Sequence, residues 1–175
     1  MSERNAEIER TTGETEIRVE LGLDGSGDCE ISTGVGFFDH MIHAVGEHGR
    51  FDLVLHCDGD RSVDDHHTVE DCSLSLGRAV DAALGERVGI ERFGHAYAPL
   101  DEALARVVVD LSGRPYSVTN LDLEREQLGG LACENIPHVF QSFAVEARAA
   151  VHVDVLRGRN DHHRAEADRK STRLN

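Results

Sequence analysis

Between Thr15 and Leu23 the chain alternates with a period of two, with Ile17, Val19, Leu21 and Leu23 on one side and Glu16, Arg18 and Glu20 on the other. Successive side chains of a strand point to opposite faces, so this segment predicts a half-buried β-strand. The turn Asp24-Gly25-Ser26-Gly27 follows, and Cys29 to Ser32 is expected to return as its hairpin partner. Past the break at Gly34 to Gly36, the spacing of Phe38, Met41, Ile42 and Val45 predicts an amphipathic helix over 38–47, with Asp39 at its N-terminal end and His40 in its first turn. Phe51 to Cys57 reads as a strand, Asp58 to Asp64 as an acidic loop, and His66 to Leu84 as a helix burying Val69, Leu74, Leu76, Val80 and Leu84.

The second half predicts a similar series: strands at Ala103 to Leu111 and Pro115 to Asp122, a helix at Ile136 to Ala149, a strand at Val151 to Leu156, and a helix starting near His162. The segment Gly13 to Leu21 also resembles Leu100 to Val108. The expected fold is α+β, two similar half-domains from an internal repeat, each a sheet with helices packed on one face. One catalytic domain of two repeats, about 7–94 and 95–170, fits a chain of 175 residues. The polar end Asp168 to Asn175 stops the last helix early, so the chain is expected to be truncated, with Ser171 to Asn175 not native sequence.

The repeat becomes chemical at Asp65-His66-His67-Thr68-Val69-Glu70-Asp71, which returns 96 residues later as Asp161-His162-His163-Arg164-Ala165-Glu166-Ala167. On a helix, positions four apart share a face while neighbours point about 100° apart. His66 with Glu70, and His162 with Glu166, can therefore each grip one metal ion, while His67 and His163 project toward a second. His40, 26 residues before His66, and His138, 24 before His162, are further candidate ligands. Single His-His pairs arise by chance, and His43, His48, His56, His95 and His152 keep the ordinary reading of surface or core histidines. Two copies of one pattern, each with an upstream histidine, point to two ions.

Composition narrows the partners. A net charge of −15, from 33 acidic and 18 basic residues, argues against a broad surface for nucleic acid or anionic membrane. An anionic ligand would need a local arginine cluster, and Arg92 and Arg114, each beside a glycine-containing turn, are candidates to clamp a phosphate. A surface salt bridge is the competing reading for both. Glu14, ahead of the first predicted strand, is a candidate general base. Only one lysine, Lys170, stands among the basic residues, and an acidic, arginine-dominated surface suggests a protein working in concentrated salt. Cys29, Cys57, Cys72 and Cys133 have no CxxC spacing, and no apolar run approaches a membrane span, so a cytoplasmic, reduced protein is expected.

Five motifs in order, Gly36-Phe37-Phe38-Asp39-His40-Met41, Asp65 to Asp71, Asp101-Glu102-Ala103-Leu104, Asp110-Leu111-Ser112-Gly113-Arg114-Pro115 and Asn160 to Ala167, resemble the imidazoleglycerol-phosphate dehydratase family. The resemblance covers about 7–168 and implies a lyase of histidine biosynthesis that dehydrates imidazole glycerol phosphate to imidazole acetol phosphate. It implies two manganese ions per active site, although zinc or iron fits the same donor types, and a 24-subunit homo-oligomer with sites between subunits. The family's ligands fall on His40, His66, His67, Glu70, His138, His162, His163 and Glu166, the eight that the repeat selects. The resemblance also implies proton handling by Glu14, phosphate binding by Arg92 and Arg114, and a basic tail that this chain ends before. A dinuclear metallohydrolase and a metal-storage protein are the competing functions; the many imidazoles disfavour the first and the paired arginines the second.

Overall fold

The alternation at Thr15 is a real strand: Ile17, Val19 and Leu21 are 2%, 0% and 5% exposed, while Glu16 and Arg18 face solvent. The computed structural model describes residues 4–167, and expectations about the chain beyond Ala167 lie outside them. In chain order the elements are β1 (Asn5–Thr11), β2 (Thr15–Gly22), β3 (Cys29–Ser32), α1 (Gly36–Gly49), β4 (Asp52–Gly59), α2 (His66–Leu84), β5 (Phe93–Leu100), β6 (Ala103–Asp110), β7 (Tyr116–Asn120), β8 (Gln127–Leu128), β9 (Leu131–Ala132), α3 (Asn135–Glu146), β10 (Ala150–Arg157) and α4 (Asp161–Ala167).

Two four-stranded sheets form, ordered β1-β2-β4-β3 and β5-β6-β10-β7. In each, three strands run antiparallel and the last pair, β3 with β4 or β7 with β10, is parallel. The half-domain repeat therefore extends to strand order and direction. Segment β3 is not the hairpin partner of β2 that its position after the turn suggested. Both edges of β2 are taken, by β1 (Ile8 opposite Val19) and by β4 (Leu55 opposite Val19), so β3 crosses over to pair with β4 instead, Ile31 opposite Leu55.

Two strands leave little trace in the hydrophobic pattern. Strand β1 offers only Ala6 and Ile8 as apolar positions, and β5 turns Phe93 and Tyr97 outward, 62% and 55% exposed, while small residues such as Ala98 face in. The two-stranded β8–β9 hairpin, in the link from β7 to α3, was also not anticipated. The first half joins β3 to α1 by only three residues, 33–35.

Helix α2 packs on β1, β2 and β4 and along α3, which in turn lies on β7 and β10. One core cluster accordingly joins Val19, Leu55 and Val69 of the first half to Ile136, Val151 and Val153 of the second. The helix crossing depends on Gly77: a Cβ there would lie 2.5 Å from the carbonyl oxygen of Phe143 and 2.8 Å from the Ala147 nitrogen. Among the described residues no helix is long and apolar enough to cross a membrane.

Candidate metal centre

Both His-His boxes open a helix, and both openings are built alike. A side-chain oxygen two residues before the first histidine accepts its backbone N–H: Asp64 from His66 at 2.9 Å, and Asn160 from His162 at 3.0 Å. This satisfies one of the orphan donors at a helix start. The aspartate heading each box reaches out to the β7–α3 link. Asp65 accepts the N–H of Ala132 at 2.8 Å, whereas the buried Asp161 accepts those of Glu124 and Arg125 at 2.9 and 2.7 Å. Both ends of that link are thus tied to the two boxes.

The histidines and glutamates converge crosswise between the halves. His66 and Glu70 of α2 meet His138 of α3, and one candidate ligand atom from each of the three lies within 4.8 Å of the others. His138 Nε2 is 3.0 Å from Glu70 Oε1, His66 Nε2 is 3.8 Å from Glu70 Oε2, and the two rings stack at 4.9 Å between centroids. The second group takes its box from α4 and its lone histidine from α1. His162 Nε2 is 3.2 Å and His40 Nε2 3.6 Å from the carboxylate of Glu166, and the Phe37 ring lies 5.2 Å from that of His162. Each group offers two imidazoles and one carboxylate, a nitrogen and oxygen donor set that suits manganese, zinc or iron. With the three donor atoms of the first group already this close, the residues fit a divalent ion.

His67 and His163 stand apart from both groups. Nδ1 of His67 is 3.2 Å from Asp60 Oδ2, and Nδ1 of His163 is 2.8 Å from Glu102 Oε2. The hydrogen bond to Asp60 raises the His67 pKa above its ordinary value, as the one to Glu102 does for His163. Glu102 itself, bonded by His163 and by the N–H groups of Asn160 and Arg159, is pulled down to about 2.

Glu14 is exposed in the β1–β2 turn. Its N–H donates to Thr12 Oγ1 and its carbonyl accepts the N–H of Asp60, so it sits beside the Asp60–His67 pair and adds to the rise in the His67 pKa. Arg92 makes two hydrogen bonds to Asp110, at 2.6 and 2.9 Å, and its guanidinium lies 4.7 Å from the centre of the Phe93 ring. Arg114 is exposed after the Ser112-Gly113 turn and also lowers the Asp110 pKa, though less than the bond from Arg92 does. The two arginines flank one carboxylate, at some remove in sequence from the boxes.

Sequence reasoning did not single out Asp60 or Asn135, whose Oδ1 is 3.0 Å from His66 Nδ1. Asp60 was one acid among several in a loop. Glu102 stands in one of the five motifs but had no role of its own.

Residues 33–173 match the family Imidazoleglycerol-phosphate dehydratase. A protein of that name from Phytophthora nicotianae is 58% identical over 168 residues, covering 96% of this chain and 37% of its own length. The chain thus spans little more than a third of that relative. The imidazoleglycerol-phosphate dehydratase of Salinibacter ruber is 55% identical over 166 residues, covering 95% of this chain and 82% of its own. A crystal structure of the Staphylococcus aureus imidazoleglycerol-phosphate dehydratase superposes with a TM-score of 0.85 at 34% identity, covering 95% of this chain and 92% of that one.

Proposed function

The chain belongs to the imidazoleglycerol-phosphate dehydratase family of hydro-lyases, and from that premise we propose that it removes water from imidazole glycerol phosphate to give imidazole acetol phosphate, using two manganese ions. The observation that carries the metal part is the crosswise convergence of two like donor sets, His66, Glu70 and His138 with ligand atoms within 4.8 Å of one another, and His40 and His162 around the carboxylate of Glu166.

His66, Glu70 and His138 hold one ion, and His40, His162 and Glu166 the other. His67 and His163 complete the sites of neighbouring copies in a large homo-oligomer, 24 subunits being the number the family resemblance implies. Ions bound there would act as Lewis acids on the substrate's imidazole, so that the ring electrons can expel the neighbouring hydroxyl and the carbon-bound proton becomes removable, the two leaving together as water. Glu14, an exposed carboxylate next to the Asp60–His67 pair, accepts that proton. Arg92 and Arg114 hold the phosphate, and Asp110 keeps the Arg92 fork oriented until it arrives. All four cysteines are free, which fits the reducing cytoplasm in which we place the protein. The two sheets with their helices work as one catalytic domain of two repeats, since each ion takes donors from both.

The test is dehydration of imidazole glycerol phosphate by the purified chain with manganese, followed as formation of the keto product, with a generic phosphate monoester as control. Turnover of the imidazole compound alone supports the reading. Hydrolysis of the monoester in its place would make the centre a metallohydrolase.

A further inference from the structure

Six of the candidate ligands meet in the two groups, while His67 and His163 each turn one ring nitrogen to a carboxylate. A carboxylate only accepts, so in the neutral ring the hydrogen must sit on Nδ1, leaving the lone pair on Nε2. A metal-bound imidazole commonly passes its other N–H to a carboxylate or carbonyl in this way, which fixes the tautomer and the ring's orientation.

The two carboxylates come from different places. Asp60 follows β4, whereas Glu102 sits in the β5–β6 turn. In the register of the two sheets, where Ile8 opposite Val19 matches Ala96 opposite Val107, the counterpart of Glu102 is Glu14, yet the carboxylate on His67 is Asp60. The halves therefore reach the same Nδ1 contact by unlike residues, so the contact is not a passive leftover of the repeat. Glu102 is further locked because its other oxygen accepts the N–H groups of Arg159 and Asn160, immediately before α4, at 3.1 and 2.9 Å.

We propose that Asp60 and Glu102 are positioning residues that hold His67 and His163 with hydrogen on Nδ1, so that Nε2 of each is presented as a metal donor. The proposal rests on the metal role given to these histidines above.

Glu102→Gln is the discriminating variant. Two backbone donors face one oxygen of residue 102, so the glutamine carbonyl stays on them and the amide NH2 turns to His163. Nδ1 must then accept, and the hydrogen moves to Nε2, where it blocks coordination. For His67 the variant is Asp60→Ala, which removes the acceptor on Nδ1, because Asp60 Oδ1 has no partner that would orient an asparagine amide.

Nitrogen-15 NMR of the metal-free protein, at a pH where the rings are neutral, reads the tautomer directly; manganese titration reads the affinity. The parent is expected to carry hydrogen on Nδ1 of His163, and Glu102→Gln to carry it on Nε2, with manganese binding weakened about 10- to 100-fold and metal-free melting close to the parent's. A parent with hydrogen on Nε2, or a variant with unchanged tautomer and unchanged affinity, would overturn the proposal. A parent that binds no manganese would sink the metal reading itself, while the tautomer would still decide whether the carboxylates anchor the rings.

Discussion

Glu70 is the hub of its group: one oxygen lies 3.0 Å from His138 and the other 3.8 Å from His66. Glu70→Gln keeps the shape and removes the charge that would balance an ion. Metal analysis after dialysis is expected to show one manganese per chain where the parent holds two, because His40, His162 and Glu166 are untouched. Equal metal content in parent and variant would take Glu70 out of the ligand set. Arg114→Ala should act elsewhere, raising KM for the substrate with metal content unchanged, since its charge acts on Asp110, which Arg92 already holds. Identical kinetics would release it from phosphate binding. The candidate ligand types were legible in the sequence from the doubled box. The pairing was not: His138 follows His66 by 72 residues and joins it only because α2 and α3 pack together.

That packing sets the terms for the helices and strands. At Gly77, valine would drive its side chain into the backbone of α3 near Phe143 and Ala147, and overpacking of this kind costs about 1–3 kcal/mol. For a chain of this size each kcal/mol lowers Tm by about 2–4 °C. Gly77→Val should also weaken manganese binding at His66, Glu70 and His138 more than at the other group. A variant with parental melting and equal occupancy at both would show that the crossing has slack. In the second sheet, Asp154 of β10 accepts from Arg106 of β6 at 2.7 Å and Asn120 of β7 at 2.8 Å, joining three strands. The Arg106 bond, then the Asn120 bond, lowers its pKa below the usual 3.8. The carboxylate's contribution to stability is thus fully present above pH 3.8 and lost as pH falls through the lower folded value. Asp154→Asn should flatten that acid limb of a stability-against-pH curve, and an unchanged limb would rule the link out. Such contacts have no sequence signature. Strands β1 and β5 were hidden for a related reason: Ile8 has only Ala6 as an apolar inward companion, Arg10 being the third residue of that face, and the large residues of β5, Phe93 and Tyr97, lie on its exposed side.

Across the whole molecule, 33 acidic residues against 18 basic ones leave a net charge of −15 to be carried by a chain of 175 residues. Raising potassium chloride from about 0.1 M to about 1 M shortens the screening length from about 10 Å to about 3 Å, and relief of self-repulsion should raise Tm across that range. A flat or falling Tm would mean that the acidic surface costs the fold little. The α+β class and the doubling were readable because the helices and most strands follow their own periods, and because the boxes recur at a fixed offset. How the halves meet was not readable, since nothing in a strand's alternation says which helix will lie across it.

The crosswise sharing of the boxes bears on how such a chain can have arisen. His66 and Glu70 find their third partner in the second half, and His162 and Glu166 find theirs in the first. Neither half has a complete cluster to itself. An ancestral polypeptide of half this length could have assembled one only by docking against its twin, so tandem fusion would have preserved, inside one chain, what had begun as a contract between two.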